Sequence, residues 1–331
     1  MAEIRYWTQL ATEQFPPAHL VNQAVEAERA GFDALNVSDH YQPWWEPGES
    51  AHAWVLLGAI GQATDQIPIG TGVTAPVYRH NPAAVAQAFA TLEAMFTRRG
   101  YLGIGSGESL NESPCGMDWP PLREQMERME EALEIINRLF NGERLDYEGR
   151  FFRTKAAYLH TRGERRPPIY VSAFGPRAAG IAGRLADGVW TLAGSERAPE
   201  VIDAYRAACE DAGNEPGEII LQGGFSWAEE DGAALEGARV WKGAQPPEHY
   251  TDDWHDPQAM YRNGEEQVSD EAFRAAYIIS SDPAEHIERV RQIERMGATV
   301  VCLQNASGAA PEAALRVYGE QVLPVLRGRS A

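Results

Sequence analysis

The chain alternates short β-branched or aromatic runs with longer amphipathic runs, and this alternation recurs eight times. We predict strands at residues 4–10, 34–38, 67–75, 101–105, 168–173, 188–192, 219–225 and 298–303. Several of these runs are apolar without strict alternation, which is typical of strands covered on both faces. Helices are predicted at 17–30, 52–64, 82–96, 121–140, 176–186, 198–212, 283–296 and 311–326. Eight βα repeats favour a closed (β/α)8 TIM barrel over two separate domains.

Two segments interrupt this period. Residues 107–120 form a predicted long loop after the fourth strand, and residues 226–280 hold far more chain than one helix requires. The second segment is rich in Trp, His, Asp and Glu, and Pro246-Pro247 would interrupt a helix there. We therefore expect one barrel domain over residues 1–331, with 226–280 as an insertion after strand seven that lies over the barrel mouth.

The charge of the chain argues against two kinds of partner. The sequence has 29 Lys and Arg against 48 Asp and Glu, a formal net charge of −19. Such a chain repels phosphate backbones and anionic lipid headgroups, so we expect no nucleic-acid binding and no membrane binding. No run approaches the ~20 uninterrupted apolar residues that a membrane span needs. The start shows no basic segment followed by an apolar run, so we expect no signal peptide.

The cysteines indicate a reducing compartment. Cys115, Cys209 and Cys302 are odd in number and far apart. This pattern argues against a disulfide framework and against a cysteine-based zinc site. We expect a cytoplasmic protein.

Titratable residues follow several of the predicted strands. Glu13 follows strand one, Asp39 and His40 follow strand two, and Glu108 follows strand four. Active sites of such barrels lie at the carboxyl ends of the strands, so these side chains should surround one axis. A histidine exchanges protons near neutral pH, and a nearby carboxylate can orient or charge it. Aromatic residues directly after His40, among them Trp44, favour a catalytic cluster over the alternative of a helix cap and a surface histidine.

Two glycine-containing segments also lie at predicted strand ends. Gly103, Gly105 and Gly107 form Gly-x-Gly-x-Gly without the helix that a dinucleotide fingerprint needs, and close strand packing explains them equally well. Residues 173–179 read Ala-Phe-Gly-Pro-Arg-Ala-Ala, so a strand ends, a Gly-Pro pair turns and a small-residue helix begins. Backbone N–H groups at such a helix start can hold a phosphate. The alternative is a simple βα turn.

Other chemistries lack their usual signals. The histidines show no metal-ligand spacing, so we expect most of them to be solvated and expect no catalytic metal. The chain has no Gly-x-Ser-x-Gly elbow and no P-loop. Their absence argues against nucleophilic hydrolysis and against phosphoryl transfer from ATP.

Four motifs in the same order give the chain a family resemblance. They are Val-Ser-Asp-His-Tyr-Gln-Pro-Trp at 37–44, Ile-Gly-Thr-Gly-Val at 69–73, Gly-Ile-Gly-Ser-Gly-Glu-Ser-Leu-Asn-Glu at 103–112 and Tyr-Val-Ser-Ala-Phe-Gly-Pro at 170–176. The chain resembles the F420-dependent oxidoreductases of the luciferase-like superfamily, in the branch related to F420-dependent glucose-6-phosphate dehydrogenase. The resemblance covers nearly the whole chain. The first and third motifs separate this branch from the flavin-dependent luciferase-like monooxygenases.

The resemblance implies coenzyme F420, a 5-deazaflavin, in the barrel mouth. The positions that match those holding its ring and ribityl chain are Asp39, Gly72, Val73, Ser106, Gly107 and Asn111. The positions that match its phosphate cradle are Ala173, Phe174, Gly175, Pro176 and Ala178. In the family the peptide that corresponds to Gly72–Val73 is cis. The polyglutamate tail of the cofactor would trail outward and need little from the acidic surface.

The resemblance also implies the catalytic residues, which match Glu13, His40, Trp44 and Glu108. A deazaflavin carries two electrons as a hydride at C5 and does not activate oxygen. Oxidation of an alcohol therefore needs a base for the hydroxyl proton and an acid for the ring nitrogen. We expect His40 as the base, alone or as a pair with Glu13, and Glu108 as the acid if burial keeps it protonated. Trp44 would wall the ring and exclude water.

Three departures from the family bear on the substrate. The sugar-phosphate enzymes have a lysine after the sixth strand, a basic residue in the insertion and an arginine before the Ser-Asp-Pro motif. The matching positions here are Ser195, Thr251 and Ala276. Because a phosphate dianion without paired cations is poorly held, we expect an uncharged alcohol, sugar or carbonyl substrate.

The main hypothesis is therefore an F420-dependent dehydrogenase or reductase that acts on a CH–OH/C=O pair. The first alternative is a sugar-6-phosphate dehydrogenase whose phosphate site is rebuilt with Lys242, Arg262 or Arg274. An FMN-dependent monooxygenase and a catalytically silent F420-binding protein are further alternatives. The joint presence of the four catalytic candidates argues against a silent protein. We also expect a homodimer that acts on a small molecule.

Overall fold

Eight parallel strands close into a barrel in the computed structural model, which describes residues 3–328. The strands are β1 (Arg5–Leu10), β2 (Ala34–Val37), β3 (Ile69–Thr71), β4 (Gly100–Ile104), β5 (Ile169–Ser172), β6 (Gly188–Leu192), β7 (Glu218–Ser226) and β8 (Val300–Asn305). Each strand pairs in parallel with the next, and β8 pairs with β1. The predicted TIM barrel is confirmed. Residues 1–2 and 329–331 of the predicted 1–331 domain lie outside the described residues.

Helices surround the barrel and connect its strands. Their bounds are Pro17–Ala30, Ala53–Ala63, Pro82–Met95, Leu122–Phe140, Pro176–Leu185, Ala198–Ala212, Pro283–Arg295 and Pro311–Val317. The last helix continues through a π-helical turn, Tyr318–Val322, into Leu323–Leu326. Most of these helices have a proline in the first turn. The fixed φ of proline suits a helix, and proline loses no hydrogen bond there because N–H groups of the first turn have no partner within the helix. Within residues 3–328, no helix combines the length and apolar character that crossing a membrane requires.

Aromatic side chains fill the barrel below its mouth. Trp7, Tyr101, Tyr170 and Trp190 form one buried cluster, and the ring of Trp7 lies 4.9 Å from that of Tyr101 and 5.9 Å from that of Trp190. A Cβ atom at Gly70 would lie 2.4 Å from the ring of Tyr101, so glycine makes room for this layer. The layer packs the amino-terminal half of the barrel, and polar side chains gather toward the carboxyl ends of the strands.

Two predicted boundaries were wrong. The predicted strand 67–75 is regular only over Ile69–Thr71, and the next peptide, Gly72–Val73, is cis, as the resemblance implied. The chain still follows β4, since Thr74 N donates to Gly103 O at 2.9 Å. The predicted loop 107–120 contains helical turns at Ser109–Glu112 and Ser113–Cys115. These turns are too short to show a helical period in the sequence.

The insertion after β7 is mostly helical. It contains the helices Asp231–Ala238, Pro257–Gln267 and Asp270–Ala276, the 3₁₀ turns Arg239–Ala244 and Pro247–Tyr250, and the short strand Ile278–Ile279, which pairs with the end of β7. An antiparallel hairpin was not predicted; its two strands are Leu145–Glu148 and Arg153–Ala157. Most of its residues are exposed or half-buried, so the hairpin lacks the apolar run that marks a barrel strand.

Candidate active site

Three titratable side chains meet at the mouth of the barrel. His40 Nε2 lies 3.6 Å from Glu13 Oε1 and 3.5 Å from Glu108 Oε2. The other ring nitrogen, Nδ1, lies 3.2 Å from the carbonyl oxygen of Gln42. A proton on Nδ1 donated to that carbonyl leaves Nε2 as the nitrogen that accepts a proton. The structure thus brings together three of the predicted catalytic residues.

Glu13 is buried beneath the imidazole. Its residue is 1% exposed. Ser38 Oγ donates to Glu13 Oε2 at 2.6 Å, and Thr12 Oγ1 donates to the same oxygen at 3.3 Å. These hydroxyl groups hold one carboxylate oxygen and leave Oε1 facing His40. Glu13 can therefore orient the imidazole and balance its positive charge when it is protonated.

Glu108 occupies a different environment from Glu13. Its side chain is 21% exposed, so it reaches the mouth. Burial raises the pKa of Glu108 more than the nearby His40 lowers it, and the charges of Glu13 and Glu112 raise it further. A carboxyl group with a raised pKa keeps its proton to higher pH and can donate it to a bound molecule.

Asn111 fixes the geometry between His40 and Glu108. Its Oδ1 accepts the backbone N–H of Tyr41 at 2.8 Å and that of Gln42 at 3.4 Å. Its Nδ2 donates to Glu108 Oε2 at 3.1 Å. One amide side chain thus joins the end of β2 to the turn after β4. Asn111, a predicted cofactor residue, contacts the segment after His40 and the carboxyl group of Glu108 in the structure.

Aromatic rings form a wall beside this cluster. The ring of Trp44 lies 5.2 Å from that of His40 and 5.0 Å from that of Tyr250. The ring of Tyr250 lies 5.5 Å from that of Phe174, and its hydroxyl donates to Ala244 O at 2.8 Å. Tyr250 of the insertion therefore packs beside the catalytic candidates. Tyr250 was not predicted as a site residue. Its position in an insertion rich in aromatic residues could have indicated this role.

Asp39 is buried in a network that holds it ionised. Thr74 Oγ1 donates to Asp39 Oδ2 at 2.7 Å, Arg79 Nη2 donates to Oδ1 at 3.1 Å, and His80 Nε2 lies 3.6 Å from Oδ2. Burial acts to raise the pKa of Asp39, but His80 and Arg79 outweigh it and hold the pKa at about 2. Arg79 also donates its backbone N–H to Glu112 Oε2 at 3.0 Å. Arg79 was not predicted as a site residue. Its position shortly after predicted strand three was the one signal for it.

The low pKa of Asp39 predicts a pH-dependent contribution to stability. Asp39 has a pKa of about 2 in the fold against an ordinary value of 3.8. It therefore stabilises the fold above about pH 4 and loses this contribution as the pH falls toward 2. We expect the difference in unfolding free energy between wild type and Asp39→Asn to shrink below about pH 4, by roughly 2 kcal/mol in total. Urea unfolding at a series of pH values measures this difference, and a constant difference would contradict a lowered pKa of Asp39.

Close packing explains two of the three glycines at the end of β4. A Cβ atom at Gly103 would lie 3.0 Å from a methyl group of Val73, and one at Gly105 would lie 2.7 Å from another. Gly107 differs, since its φ of +86° is one that favours glycine. Ser106 and Gly107 are half-buried and turn the chain toward Glu108. These residues and Val73 meet at neighbouring strand ends, as the cofactor prediction requires.

The segment after β5 ends in an open helix start. Gly175 precedes the helix Pro176–Leu185, and no side chain in residues 3–328 caps the N–H groups of its first turn. Such N–H groups, together with the helix dipole, attract an anion. Phe174 is 40% exposed, whereas Ala173 and Ala178 are buried. The predicted phosphate cradle therefore has the chemistry that a phosphate needs.

These residues fit a planar cofactor with an anionic chain. The Trp44 ring lies beside the acid–base cluster, and Tyr250 links that ring to Phe174, which precedes the open helix start. The described residues contain no group of three or more His, Cys, Asp or Glu arranged to hold a metal. A TIM barrel with an acid–base cluster at the carboxyl ends of its strands defines an enzyme.

The chain belongs to the luciferase-like monooxygenase family, whose model matches residues 1–300. F420-dependent glucose-6-phosphate dehydrogenase from Microbacterium testaceum is 37% identical over 99% of both chains. The protein of the same name from Nakamurella multipartita is 37% identical over 98% of this chain and 97% of its own. A solved F420-dependent secondary alcohol dehydrogenase, in complex with an F420–acetone adduct, superposes with a TM-score of 0.93 at 29% identity, covering 98% of this chain and 99% of that chain.

Proposed function

We propose that the chain is an F420-dependent oxidoreductase that transfers a hydride between the deazaflavin and an uncharged alcohol or carbonyl substrate. F420 dependence is part of the names of relatives that match nearly the whole chain and of the secondary alcohol dehydrogenase with a TM-score of 0.93. The proposed substrate class rests on the absence of positive charge at the positions that would bind a substrate phosphate. The cations that would hold a substrate phosphate are absent from the matching positions, and two of the possible substitutes are engaged elsewhere.

The cofactor would be held at the ends of β2 to β5. The residues for its ring and ribityl chain are Asp39, Gly72, Val73, Ser106, Gly107 and Asn111, and those for its phosphate are Ala173, Phe174, Gly175, Pro176 and Ala178. When bound, the deazaflavin supplies a centre that accepts or gives a hydride. The protein must then supply binding, orientation and proton transfer.

We assign the proton transfers to His40 and Glu108. Nε2 of His40 takes the hydroxyl proton of an alcohol, while Gln42 O holds Nδ1–H and Glu13 Oε1 at 3.6 Å balances the imidazolium charge. Glu108, whose pKa burial raises, would be the proton donor to a nitrogen of the bound ring. Trp44 walls the site and excludes water, which strengthens these electrostatic interactions.

Lys242 is not available to a substrate phosphate. It is 4% exposed, and its Nζ lies 2.7 Å from Asp270 Oδ1 and 3.7 Å from Glu265 Oε1. A phosphate would have to compete with both carboxylates. The positions that carry cations in the sugar-phosphate enzymes hold Ser195 and Ala276 here.

Arg274 is also engaged within the insertion. Its Nη1 donates to Ile279 O at 3.1 Å, and its Nη2 donates to Asp231 O at 3.4 Å. Next to it, Tyr277 is 8% exposed, and its hydroxyl donates to Gln304 Oε1 at 2.9 Å. Arg274 therefore has two backbone carbonyl partners for which a substrate phosphate would have to compete.

A sugar-6-phosphate dehydrogenase is the second candidate, because the curated relatives from M. testaceum and N. multipartita are named glucose-6-phosphate dehydrogenases. Arg262, the third of the possible substitutes, is exposed on the helix Pro257–Gln267. The two candidates share the cofactor and the acid–base cluster. They differ in whether the substrate site binds a phosphate group.

Inorganic phosphate separates these candidates. We expect millimolar phosphate to leave kcat/KM for a secondary alcohol nearly unchanged, because a dianion without paired cations is poorly held. Initial rates are measured anaerobically at saturating F420, with chloride keeping the ionic strength constant. Competitive inhibition by phosphate against the alcohol would reveal an anion site at the substrate position and favour the sugar phosphate.

A further inference from the structure

We propose that an arginine patch at the rim of the barrel mouth binds the polyglutamate tail of F420. The patch consists of Arg123, Arg150 and Arg177. The proposal rests on F420 binding at this mouth, and it replaces the expectation that the tail needs little from the protein.

The three arginines share one carboxylate. Arg123 Nε lies 2.8 Å from Glu127 Oε1, Arg177 Nη2 lies 3.9 Å from the same oxygen, and Arg150 Nη1 donates to Glu127 Oε2. Their side chains are 81%, 50% and 65% exposed, respectively. Three guanidinium groups on one carboxylate leave positive charge and N–H donors facing solvent, in a chain whose net charge is −19.

Nearby carboxylates do not cancel this charge. Glu124 pairs with Arg128 at 2.7 Å. Glu131 accepts the backbone N–H groups of Arg150 and Phe151 at 2.9 and 3.0 Å. With these neighbours included, four arginines still face three carboxylates.

The patch continues directly from the phosphate cradle. Arg177 is the second residue of the helix Pro176–Leu185, and Arg123 is the second residue of the neighbouring helix Leu122–Phe140. Both helices therefore begin at this rim and direct the positive ends of their dipoles toward it. Arg150 lies in the turn of the adjoining hairpin and reaches the same carboxylate.

The chemistry of the tail matches this surface. Each glutamate of the tail carries a carboxylate, and arginine binds carboxylates through paired N–H groups. A polyanion near a chain of strongly negative charge is repelled unless cations are placed along its path. Arg177 follows Gly175 by two residues and shares Glu127 with Arg123, so the patch begins beside the segment that would hold the phosphate.

Tail length is the variable that tests the proposal. We measure Kd calorimetrically at low salt for F420 with several glutamates, for F420 with one glutamate, and for the bare chromophore without phosphate or glutamates. Each exposed arginine–carboxylate contact contributes roughly two- to fivefold to affinity. Arg150→Gln with Arg177→Gln should weaken binding of the long-tailed form about tenfold and leave the bare chromophore unchanged.

Two further variants sharpen the result. Glu127→Gln removes the shared carboxylate and should strengthen long-tail binding severalfold. Arg184→Gln is the matched control, because Arg184 lies near the other end of the same helix, is 46% exposed and pairs with Glu130. It should leave every Kd unchanged.

The outcomes separate this proposal from the proposed function. A wild-type preference for the long tail that shrinks as salt is raised, and that is lost in the double variant, supports the patch. Equal affinity for all tail lengths in wild type would overturn the patch and leave the oxidoreductase intact. Failure of wild type to bind any of the three ligands would contradict both.

Discussion

His40→Ala and Glu108→Gln are each expected to lower kcat by about 10²–10⁴-fold, the usual contribution of a positioned acid or base. The reason is their geometry: His40 Nε2 lies 3.5 Å from Glu108 Oε2, so both groups act on one bound pair. The affinity for F420 should change little, because neither variant alters the backbone that holds the phosphate. Anaerobic turnover, followed by deazaflavin absorbance, gives kcat, and titration gives Kd.

The pH profile adds a signature for Glu108. Since burial raises the pKa of Glu108, its protonated form persists to higher pH and is lost as the pH rises through that pKa. Alcohol oxidation should therefore fall on the alkaline side in wild type, and this limb should be absent in Glu108→Gln. His160→Ala, at an exposed histidine, is the control and should behave as wild type. Near-normal turnover in both test variants would remove His40 and Glu108 from the mechanism.

Ser195→Lys with Ala276→Arg is expected to lower KM for glucose 6-phosphate by roughly 10- to 10²-fold. Each charge-assisted contact contributes roughly 1.5–3 kcal/mol, and solvent screening reduces this at exposed positions such as Ala276. The gain should be confined to phosphorylated substrates, because the new charges have no partner on a simple alcohol.

A neutral double variant, Ser195→Met with Ala276→Gln, separates charge from side-chain size. It should leave KM for glucose 6-phosphate near the wild-type value. If both double variants lower that KM equally, shape rather than charge controls the site. If neither does, the two positions do not face the substrate phosphate.

The sequence predicted most of the site because of how a parallel barrel is built. All its strands end at one mouth, so Glu13, His40 and Glu108 could be placed together from their positions after strands one, two and four. Trp44 could be added to the predicted cluster because it lies shortly after His40 in the sequence. In the structure, His40 Nε2 lies 3.6 Å from Glu13 Oε1 and 3.5 Å from Glu108 Oε2. The ring of Trp44 lies 5.2 Å from that of His40.

What the sequence missed depends on contacts between distant segments. Arg79 pairs with Asp39 across 40 residues of chain, and the ring of Tyr250 reaches Trp44 from the insertion. His249 and His286 are fully buried and are exceptions to the expectation that most histidines are solvated. A buried histidine needs hydrogen-bond partners, and those of His249 and His286 become neighbours only in the folded chain.

The substrate preference of the wild-type chain is the decisive test of the proposed substrate class. The measurement is anaerobic kcat/KM with F420 for a simple secondary alcohol and for glucose 6-phosphate, in one buffer of fixed ionic strength. We expect the higher value for the alcohol, because Ser195 and Ala276 provide no charge and Lys242 and Arg274 are engaged within the insertion. A higher kcat/KM for glucose 6-phosphate would contradict this expectation and make the chain a sugar-phosphate dehydrogenase.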